Sequence, residues 1–266
     1  MRTSLTDELL AVASAAAAAA AAVIQSDFPG RGDQVLTKSS PTDMVTAVDR
    51  AAERCIVTVL SECRPADAVV AEEGTATEGT SGITWVVDPL DGTTNYLFGV
   101  PAYAVSVAAE MEGTALVGVV VDPSRDETWR AARGRSASLN GRPLRLDAAP
   151  PPLSTSLIGT GFSYRPERRA YQAGFLPHVL PRVRDIRRFG SAALDLCWVA
   201  AGRLNGFYEL GLQPWDLAAG LLIAQEAGAE VATMADGTVV VAAPGLLAPL
   251  HDLLADAASH NPAPST

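Results

Sequence analysis

The stretch WVVDPLDGTTN at residues 85–95 is the most informative part of this 266-residue chain. It continues a β-branched and aromatic run that begins at Ile83, which is typical of a buried strand. Asp88 stands at the predicted end of the strand. Pro89 fixes its own φ and disfavours helical geometry at Asp88, so the chain should turn there and bring Asp91 back to the same side. The stretch therefore predicts two carboxylates that converge at one edge of a sheet.

The residues after the second acid favour an anion site. Gly92 allows close approach of the backbone, and the amides of Gly92 and Thr93 would point at an anion if they open a helical turn. Two aspartates before a glycine are, on their own, equally typical of a turn with helix-capping side chains. The longer stretch is more specific, and it indicates half of a metal site beside a phosphate cradle.

Further acids could complete such a metal site. Glu72 and Glu73 end a short apolar run, and Asp216 falls in the first turn of a predicted apolar helix. Each has a simpler explanation, as a solvated loop acid or as a helix cap. Together they form a set of oxygen donors without a nearby cysteine or histidine, which favours Mg²⁺ or Mn²⁺ over Zn²⁺.

These segments resemble the signature motifs of the inositol monophosphatase family, the Mg²⁺-dependent, lithium-sensitive sugar phosphatases. The main matches, in order along the chain, are EEG at residues 72–74, WVVDPLDGTTN at 85–95 and WDLAAG at 215–220. Weaker similarity is found at residues 38–46 with Asp49, at GSAA (190–193) and at ELG (209–211). The resemblance covers nearly the whole chain.

The resemblance implies a set of metal ligands. Glu72, Asp88 and the Leu90 carbonyl would hold one ion, while Asp88, Asp91 and Asp216 would hold a second. Asp88 would bridge the two, and a third, weaker position would involve Glu72 through water. This is the two-metal arrangement in which ions about 3.5–4 Å apart bind the attacking and leaving oxygens of a phosphoryl displacement.

The resemblance also implies catalytic and substrate-binding roles. Thr93, hydrogen-bonded to Asp49, would orient the attacking water and help to deprotonate it together with Glu72, without a covalent phosphoenzyme. Substrate contacts are implied for Asp91, Gly92, Thr93, Gly190, Ser191, Ala192, Glu209 and Asp216. Without the family, Glu209 could equally be an exposed acid at a strand end. Its spacing to Asp216 matches the family and favours contact with a hydroxyl of the substrate.

The basic residues raise two further expectations. Lys38 is the one lysine beside nineteen arginines, and we interpret it as an active-site loop residue that contacts phosphate directly or through water, although a single lysine can also be an accident of composition. A basic segment at residues 165–188 contains Arg165, Arg168, Arg169, Arg182, Arg184, Arg187 and Arg188. A solvated helix face or a subunit contact is the first interpretation of this segment, and steering of phosphorylated substrates is the second.

Composition narrows the class of protein. The net charge of −10 argues against nucleic acid as a main partner, and bound divalent ions would reverse the charge locally. The three cysteines lack a C-x-x-C spacing, which predicts neither a disulfide framework nor a zinc site and favours a reducing cytoplasm. The apolar stretch from Ala11 to Ile24 superficially resembles a signal peptide, but Asp7 and Glu8 precede it. It is alanine-rich and short for a membrane span, so we predict a closely packed helix and no membrane association.

The order of predicted elements indicates two lobes in a single catalytic unit. Helices followed by a largely antiparallel sheet make up residues 1–150, and alternating strands and helices, with one helix over residues 166–179, make up residues 151–266. The boundary is placed near the three prolines at 150–152. The order predicts a layered α+β and α/β fold. The family resemblance implies a five-layer α-β-α-β-α sandwich with a mixed second sheet, a metal site between the lobes, and a homodimer.

The predicted function is a Mg²⁺-dependent phosphomonoesterase acting on inositol 1-phosphate and similar small sugar or polyol phosphates. Related enzymes with the same metal motifs hydrolyse other esters, so histidinol-phosphate phosphatase is the first alternative and fructose-1,6-bisphosphatase the second. A role as a regulatory binding partner is the alternative from a different class. The full set of carboxylates speaks against a purely structural role, because clustered acids are costly to keep without cations.

Overall fold

The computed structural model describes residues 4–26, 36–37, 44–45 and 47–261. The helices are α1 Leu5–Ser26, α2 Ala47–Cys63, α3 Thr93–Leu97, α4 Pro166–Ala173, α5 Leu176–Val179, α6 Ala192–Ala200, α7 Pro214–Glu226 and α8 Leu247–His260. Short 3₁₀ turns cover Leu153–Thr155 and Leu180–Arg182. The strands are β1 Leu36–Thr37, β2 Met44–Val45, β3 Ala68–Ala71, β4 Ala76–Thr77, β5 Ile83–Asp91, β6 Ala104–Met111, β7 Thr114–Asp122, β8 Glu127–Ala132, β9 Ser138–Leu139, β10 Arg142–Pro143, β11 Leu157–Thr160, β12 Asp185–Arg187, β13 Gly206–Glu209, β14 Glu230–Thr233 and β15 Val239–Ala242.

Two sheets of different character form the framework. The larger has eight strands in the order β10-β9-β8-β7-β6-β5-β3-β4, and within it β3 and β5 pair in parallel while the other neighbours are antiparallel. The smaller has the order β12-β11-β13-β15-β14, with parallel pairing on both sides of β11 and antiparallel pairing around β15. A mainly antiparallel first sheet and a mixed second sheet were both predicted, and both are confirmed.

Helices cover both faces of the sheets and give five layers. α1 and α2 pack together on one face of the larger sheet, and α6 and α7 lie between the two sheets. α5 and α8 pack on the outer face of the smaller sheet. Every residue of α6 is buried, as its position in the middle layer requires. β6 and β7 are covered on both faces, which explains why they are apolar almost throughout rather than alternating. The predicted five-layer sandwich is confirmed.

The alanine-rich α1 is a core helix. Its buried face includes Ala13, Ala16, Ala17 and Ala20, and it packs against α2, β6 and β7. Small side chains allow this close approach of the helix backbone. Among the described residues α1 is the one helix whose length and apolar composition would suit a membrane span. Its packing on the sheet accounts for that composition without a membrane.

The predicted helix over residues 166–179 is wrong as a single element. α4 ends at Ala173 and α5 begins at Leu176. Pro177 follows in the first turn of α5 and has no N–H to donate to the preceding turn, so a continuous helix would lose a hydrogen bond there. Gly174 lies between the helices, where a Cβ would stand 2.4 Å from the side-chain nitrogen of Asn261. A side chain at position 174 would have to displace the Asn261 side chain, which donates to the Tyr171 carbonyl oxygen at 2.6 Å.

The predicted turn at Pro89 is also wrong, because β5 continues through it to Asp91. Asp88 pairs with Ser106 and Asp91 pairs with Ala104, so three steps along β5 match two along β6. Pro89 and Leu90 together oppose one residue of β6, which is a β-bulge. Residues three apart on a regular strand face opposite sides of the sheet. Because of the bulge, Asp88 and Asp91 oppose residues only two apart on β6, so their side chains lie on the same side of the sheet and face the same cleft.

The contact between β7 and α7 gives a first testable prediction. A Cβ added at Gly118 would stand 2.8 Å from both the Cα and the carbonyl oxygen of Ala219, which are backbone atoms that cannot rotate away. We expect Gly118→Ala to lower the free energy of unfolding by about 1–3 kcal/mol, because the helix must move off the sheet. Urea unfolding measures this, with Thr114→Ala at the exposed start of the same strand as the control. Equal stability of wild type and Gly118→Ala would contradict the prediction.

Candidate active site

The predicted site residues gather around one cleft. Its inner cavity has a volume of about 110 Å³. The predicted residues that line it are Glu72, Asp88, Leu90, Asp91, Gly92, Thr93, Gly190, Ala192, Glu209 and Asp216. Asp49 and Ser191 do not line the cavity but form hydrogen bonds to Thr93 and Asp91. Lys38 lies outside the described residues.

The bulge of β5 places two acids at the floor of the cavity. Asp88 is fully enclosed, and its Oδ1 accepts a hydrogen bond from the Leu90 amide at 3.0 Å. Burial, followed by the charges of Glu72, Asp91 and Asp216, raises the pKa of Asp88 well above its usual range. A bound cation would reverse this effect, because it stabilises the charged form of a carboxylate.

Asp91 is held from the far side of the cleft. Its Oδ2 accepts hydrogen bonds from the Ser191 hydroxyl at 2.7 Å and from the Ala193 amide at 2.8 Å. Burial raises the pKa of Asp91 to about 6, although these hydrogen bonds act in the opposite direction. The N-terminal end of α6 thus orients Asp91, and Ser191 has this structural contact as well as its predicted contact with substrate.

Thr93 and Asp49 form a buried pair beside the acids. Thr93 Oγ1 donates a hydrogen bond to Asp49 Oδ1 at 2.8 Å, and it also lies 3.1 Å from the Leu90 carbonyl oxygen. Asp49 is inaccessible to solvent and is contributed by the first turn of α2. Because the hydroxyl donates its hydrogen bond to the carboxylate, the lone pairs of Thr93 remain able to accept a hydrogen bond from a water molecule in the cavity.

Gly92 shapes the backbone at the start of α3. Its φ of 94° is left-handed, and a Cβ there would stand 2.9 Å from the Ala102 carbonyl oxygen and 3.3 Å from that of Gly190. Gly92 therefore has both a conformation and a neighbourhood that favour glycine. No side chain in the described part of the chain caps α3, so its first amides remain available to an acceptor in the cavity.

Asp216 combines two roles that the sequence left as alternatives. It occupies the first turn of α7, where its Oδ2 accepts a hydrogen bond from the Gln213 amide at 2.6 Å as part of a capping box. The predicted helix cap is therefore present. Asp216 also lines the cavity, and burial, together with the charges of Asp91 and Glu72, raises its pKa well above the usual range even though the bond from Gln213 lowers it.

Glu209 faces the cavity from the end of β13. Burial raises its pKa to about 7, and the nearby charge of Arg188 partly offsets this. A Cβ on Gly161 would stand within 2.2 Å of both carboxylate oxygens, so the absence of a side chain at Gly161 makes room for this acid. Glu209 is thus built into the site rather than left in solvent at a strand end.

Arg188 is a site residue that sequence reasoning did not single out. It lines the inner cavity, and its Nη2 donates to the Phe162 carbonyl oxygen at 3.3 Å. Its Nη1 would be 2.2 Å from a Cβ at Gly190, so the guanidinium passes directly over that glycine. The sequence indicated it only as one of seven arginines in the basic segment, two residues before Gly190.

Five other arginines of the basic segment fall into two groups. Arg182 and Arg187 form surface ion pairs with Asp256 and Asp185, and Arg184 donates to the Thr155 carbonyl oxygen. These contacts are typical of a solvated surface. Arg165 and Arg168, by contrast, line the outer part of the cleft.

The donor set suits a hard divalent cation. The candidate ligands supply carboxylate and carbonyl oxygen only, which is the chemistry of Mg²⁺ or Mn²⁺ sites. As their side chains are placed, no three acidic, imidazole or thiolate groups of the described residues are arranged so that they could hold an ion. Asp91 and Asp216 each use one oxygen in a hydrogen bond, so the second oxygen of each is the one left for a metal. The residues fit the ion by chemistry, with a local adjustment of side chains.

Comparison with known proteins gives one consistent family. Residues 5–262 match the inositol monophosphatase family. The inositol-1-monophosphatase SuhB of Mycobacterium tuberculosis (strain ATCC 25618 / H37Rv) is 48% identical over 233 residues, covering 82% of this chain and 80% of that protein. The Nus factor SuhB of Escherichia coli (strain K12) is 40% identical over 234 residues, covering 83% and 87%.

A solved structure agrees with these matches. The crystal structure of the extragenic suppressor protein suhB from Bartonella henselae superposes with a TM-score of 0.86 at 38% identity, covering 92% of this chain and 97% of that one. The family match spans nearly the whole chain, and the fold is the same. The resemblance found in the sequence motifs is confirmed: the chain belongs to the inositol monophosphatase family.

Proposed function

We propose that this protein is a Mg²⁺-dependent phosphomonoesterase that hydrolyses inositol 1-phosphate and related small sugar or polyol phosphates. The observation that carries the proposal is the convergence of Glu72, Asp88, Asp91 and Asp216 on one cavity, beside the hydrogen-bonded Thr93 and Asp49. The M. tuberculosis relative is named an inositol-1-monophosphatase, which supports the same reaction.

The proposed ligand sets follow the family. Glu72, Asp88 and the Leu90 carbonyl would hold one Mg²⁺, and Asp88, Asp91 and Asp216 a second, with a weaker third position near Glu72. Mn²⁺ can substitute, because it accepts the same oxygen donors. When bound, such ions neutralise phosphate charge and lower the pKa of bound water.

The side chains supply orientation and proton transfer. The Thr93 hydroxyl, fixed by Asp49, accepts a hydrogen bond from the attacking water, and Glu72 takes up its proton. The amides of Gly92 and Thr93 bind a non-bridging oxygen of the phosphate. Water attacks phosphorus as the ester bond breaks, and the leaving oxygen takes a proton from a solvent water molecule. The alcohol therefore departs without a covalent enzyme intermediate.

The far wall of the cleft would select the alcohol. Glu209 accepts a hydrogen bond from a hydroxyl of the substrate, and Gly190 and Ala192 line its binding position. Ser191 lies between them and supports this wall through its hydrogen bond to Asp91. The carboxylates of Asp91 and Asp216 complete the contacts near the reacting centre. Histidinol phosphate and fructose 1,6-bisphosphate remain the alternative substrates, in that order. We propose a cytoplasmic homodimer, without nucleic acid or membrane as a main partner.

Phosphate release from four compounds tests the proposed function. Inositol 1-phosphate, histidinol phosphate, fructose 1,6-bisphosphate and adenosine 3′,5′-bisphosphate are each supplied to the wild type with Mg²⁺ or with a chelator. We expect turnover that requires Mg²⁺, fastest with inositol 1-phosphate. Asp91→Asn should lower it by about 10²-fold or more, because it removes a charge that stabilises the bound ions. Asp252→Asn, at an exposed acid of α8, is the matched control.

The same assay separates the enzyme from the binding-partner hypothesis. The E. coli relative is named a Nus factor, so a regulatory role is the second candidate. Absence of turnover by the wild type on all four compounds with Mg²⁺ would reject the phosphatase and leave the regulatory role. Turnover that is equal in Asp91→Asn and in wild type would instead show that the reaction uses a different centre.

A further inference from the structure

A buried glutamate of α2 holds the turn that carries Glu72. Glu53 is 5% exposed, and its Oε2 accepts a hydrogen bond from the Glu73 amide at 2.8 Å. Its Oε1 accepts hydrogen bonds from the Thr75 hydroxyl at 2.5 Å and from the Thr75 amide at 3.2 Å. Among the described residues, those that line the cleft include Glu72 but not Glu53. Both oxygens of Glu53 are thus bound by the short turn between β3 and β4, and any effect on the cleft must pass through that turn.

The backbone of this turn is tied to the sheet at its start. The Glu72 amide donates to the Val87 carbonyl oxygen of β5 at 3.1 Å. Gly74, two residues later, has a left-handed φ of 110° and is exposed. Glu53 binds the residues on either side of Gly74, where the turn leaves the sheet. These bonds fix the course of the turn and therefore the direction in which the Glu72 side chain leaves the backbone.

The same face of α2 also supports Thr93. Asp49 precedes Glu53 by four residues, so the two carboxylates lie about one helical turn apart on one face. Asp49 is fully buried and accepts a hydrogen bond from the Thr93 hydroxyl at 2.8 Å. In the proposed reaction, Thr93 accepts a hydrogen bond from the attacking water and Glu72 takes up its proton. One helix therefore supports both groups that act on the same water molecule.

We propose that Glu53 is a positioning residue for Glu72: it holds the turn between β3 and β4 so that the Glu72 carboxylate keeps its place in the cleft. The inference rests on the proposed phosphatase activity and adds to it a residue that touches neither substrate nor metal. A carboxylate suits this position, because hydrogen bonds to an ionised acceptor are roughly twice as strong as those between neutral groups.

A glutamine could not replace this carboxylate without conflict. The Glu73 amide faces one oxygen of Glu53 and the Thr75 amide faces the other. Whichever way a glutamine is turned, its NH₂ group would therefore face a backbone N–H, and two donors cannot bond to each other. Glu53→Gln thus preserves the size of the side chain but disturbs the turn, which makes it a suitable test variant.

Metal binding and turnover test the positioning role. Calorimetric titration with Mg²⁺ in the absence of substrate gives the Kd, and phosphate release from inositol 1-phosphate at saturating Mg²⁺ gives kcat. We expect Glu53→Gln to raise the Kd and to lower kcat by about tenfold or more, the usual effect of removing a group that orients a metal ligand. Thr75→Val removes only the hydroxyl donor, so it should act in the same direction by less than about tenfold.

A double-mutant cycle with Glu72→Ala separates positioning from packing. Glu72→Ala should itself weaken Mg²⁺ binding, because it removes a proposed ligand. If Glu53 acts through Glu72, adding Glu53→Gln to Glu72→Ala should change the Kd by less than about twofold, since the two effects on the metal are not additive. The loss of stability in urea should persist in both backgrounds. Glu62→Gln removes the same charge from an exposed position of α2 and is the matched control, with Kd and kcat unchanged.

Three results would overturn the positioning role. Unchanged Kd and kcat in a less stable Glu53→Gln would show that Glu53 only fastens α2 to the turn. An equal rise in Kd with and without the Glu72 side chain would assign the effect to the general field of the protein. Unchanged Mg²⁺ binding in Glu72→Ala would leave Glu53 without a ligand to position. If Glu53→Gln does not fold, the same cycle is measured with Thr75→Val.

The Kd cycle also separates this inference from the proposed function, because it needs no turnover. If wild type hydrolyses none of the four phosphate compounds but the Kd values in the cycle are not additive, the phosphatase proposal fails and the positioning role stands. If wild type is active with Mg²⁺ and the effects of Glu53→Gln and Glu72→Ala on the Kd are additive, only the positioning role fails.

Discussion

Thr93→Ala is expected to lower kcat by about 10²–10³-fold, the usual effect of removing one group that orients the reactants or stabilises the transition state. The Thr93 hydroxyl is held by the fully buried Asp49 at 2.8 Å, so its lone pairs have a fixed direction relative to the cavity. An alanine leaves the attacking water without this acceptor. It also leaves Asp49 with one hydrogen bond fewer.

Metal affinity should be nearly unchanged in the same variant, because the proposed ligands are carboxylates and the Leu90 carbonyl. Phosphate release gives kcat, and calorimetric titration with Mg²⁺ gives the affinity. Thr93→Ser keeps the hydroxyl and should recover most of the activity, which serves as the control. A collapse of Mg²⁺ affinity in Thr93→Ala would show that the water-positioning role is misassigned.

Asp67→Asn is expected to give the largest loss of stability, about 3–5 kcal/mol, which is the range for removing one partner of a buried ion pair. Asp67 is buried at 6% exposure and accepts hydrogen bonds from Arg64 Nε at 2.8 Å, Ser81 Oγ at 2.6 Å and Trp85 Nε1 at 3.0 Å. Arg64 also donates a hydrogen bond to Glu8 of α1, so the network joins α1, the turn after α2 and β5. An asparagine leaves the Arg64 charge without its buried partner.

The pH dependence of stability gives a second readout for Asp67. Burial alone would raise the pKa of this carboxyl, but the hydrogen bonds from Arg64, Ser81 and Trp85 outweigh it and leave the pKa below the usual value. A lowered pKa in the folded state means that the stabilisation is present above the unfolded pKa of about 3.9 and is lost as pH falls through the folded value. The difference in free energy of unfolding between wild type and Asp67→Asn should therefore become smaller at acidic pH.

Urea unfolding at neutral pH and near pH 3 measures both effects. Asp7→Asn is the matched control, since Asp7 pairs with Arg135 on the surface and should change stability little. Two results would contradict the prediction: an equal loss of unfolding free energy in Asp67→Asn and Asp7→Asn, or a loss in Asp67→Asn that does not depend on pH. Either would show that the network around Asp67 does not stabilise the fold as proposed.

The sequence predicted regular elements best where strong local patterns have clear ends. α6, β13 and β15 are examples, because each has an apolar run next to glycine or polar residues. β4 and β14 were not predicted, because they are short, lie at sheet edges and are partly exposed. These two strands form because they pair with a neighbouring strand, and the local sequence gives no sign of that pairing.

The site was predictable to the extent that its residues lie in distinctive motifs. Acids beside glycine and proline are rare enough to be recognised, which is why ten of the fifteen residues that line the inner cavity were named as site residues in advance. Arg168 and Arg188 were not, because seven arginines in one polar segment are indistinguishable until tertiary structure brings some of them to the cleft. The metal ligation, the two-lobe division at residues 150–151 and the homodimer remain predictions.

The bulge in β5 has a consequence for how mutations at position 90 should be understood. The extra residue interrupts the pairing between β5 and β6 at this point, and the Leu90 carbonyl lies 3.1 Å from Thr93 Oγ1. The Leu90 side chain is meanwhile 1% exposed within the core. The main chain of Leu90 thus lies at the cleft, while its side chain packs in the core. A substitution at position 90 can weaken the packing of the core, but it cannot remove the carbonyl oxygen. This proposed metal ligand therefore depends on the conformation of the backbone and not on the identity of the side chain.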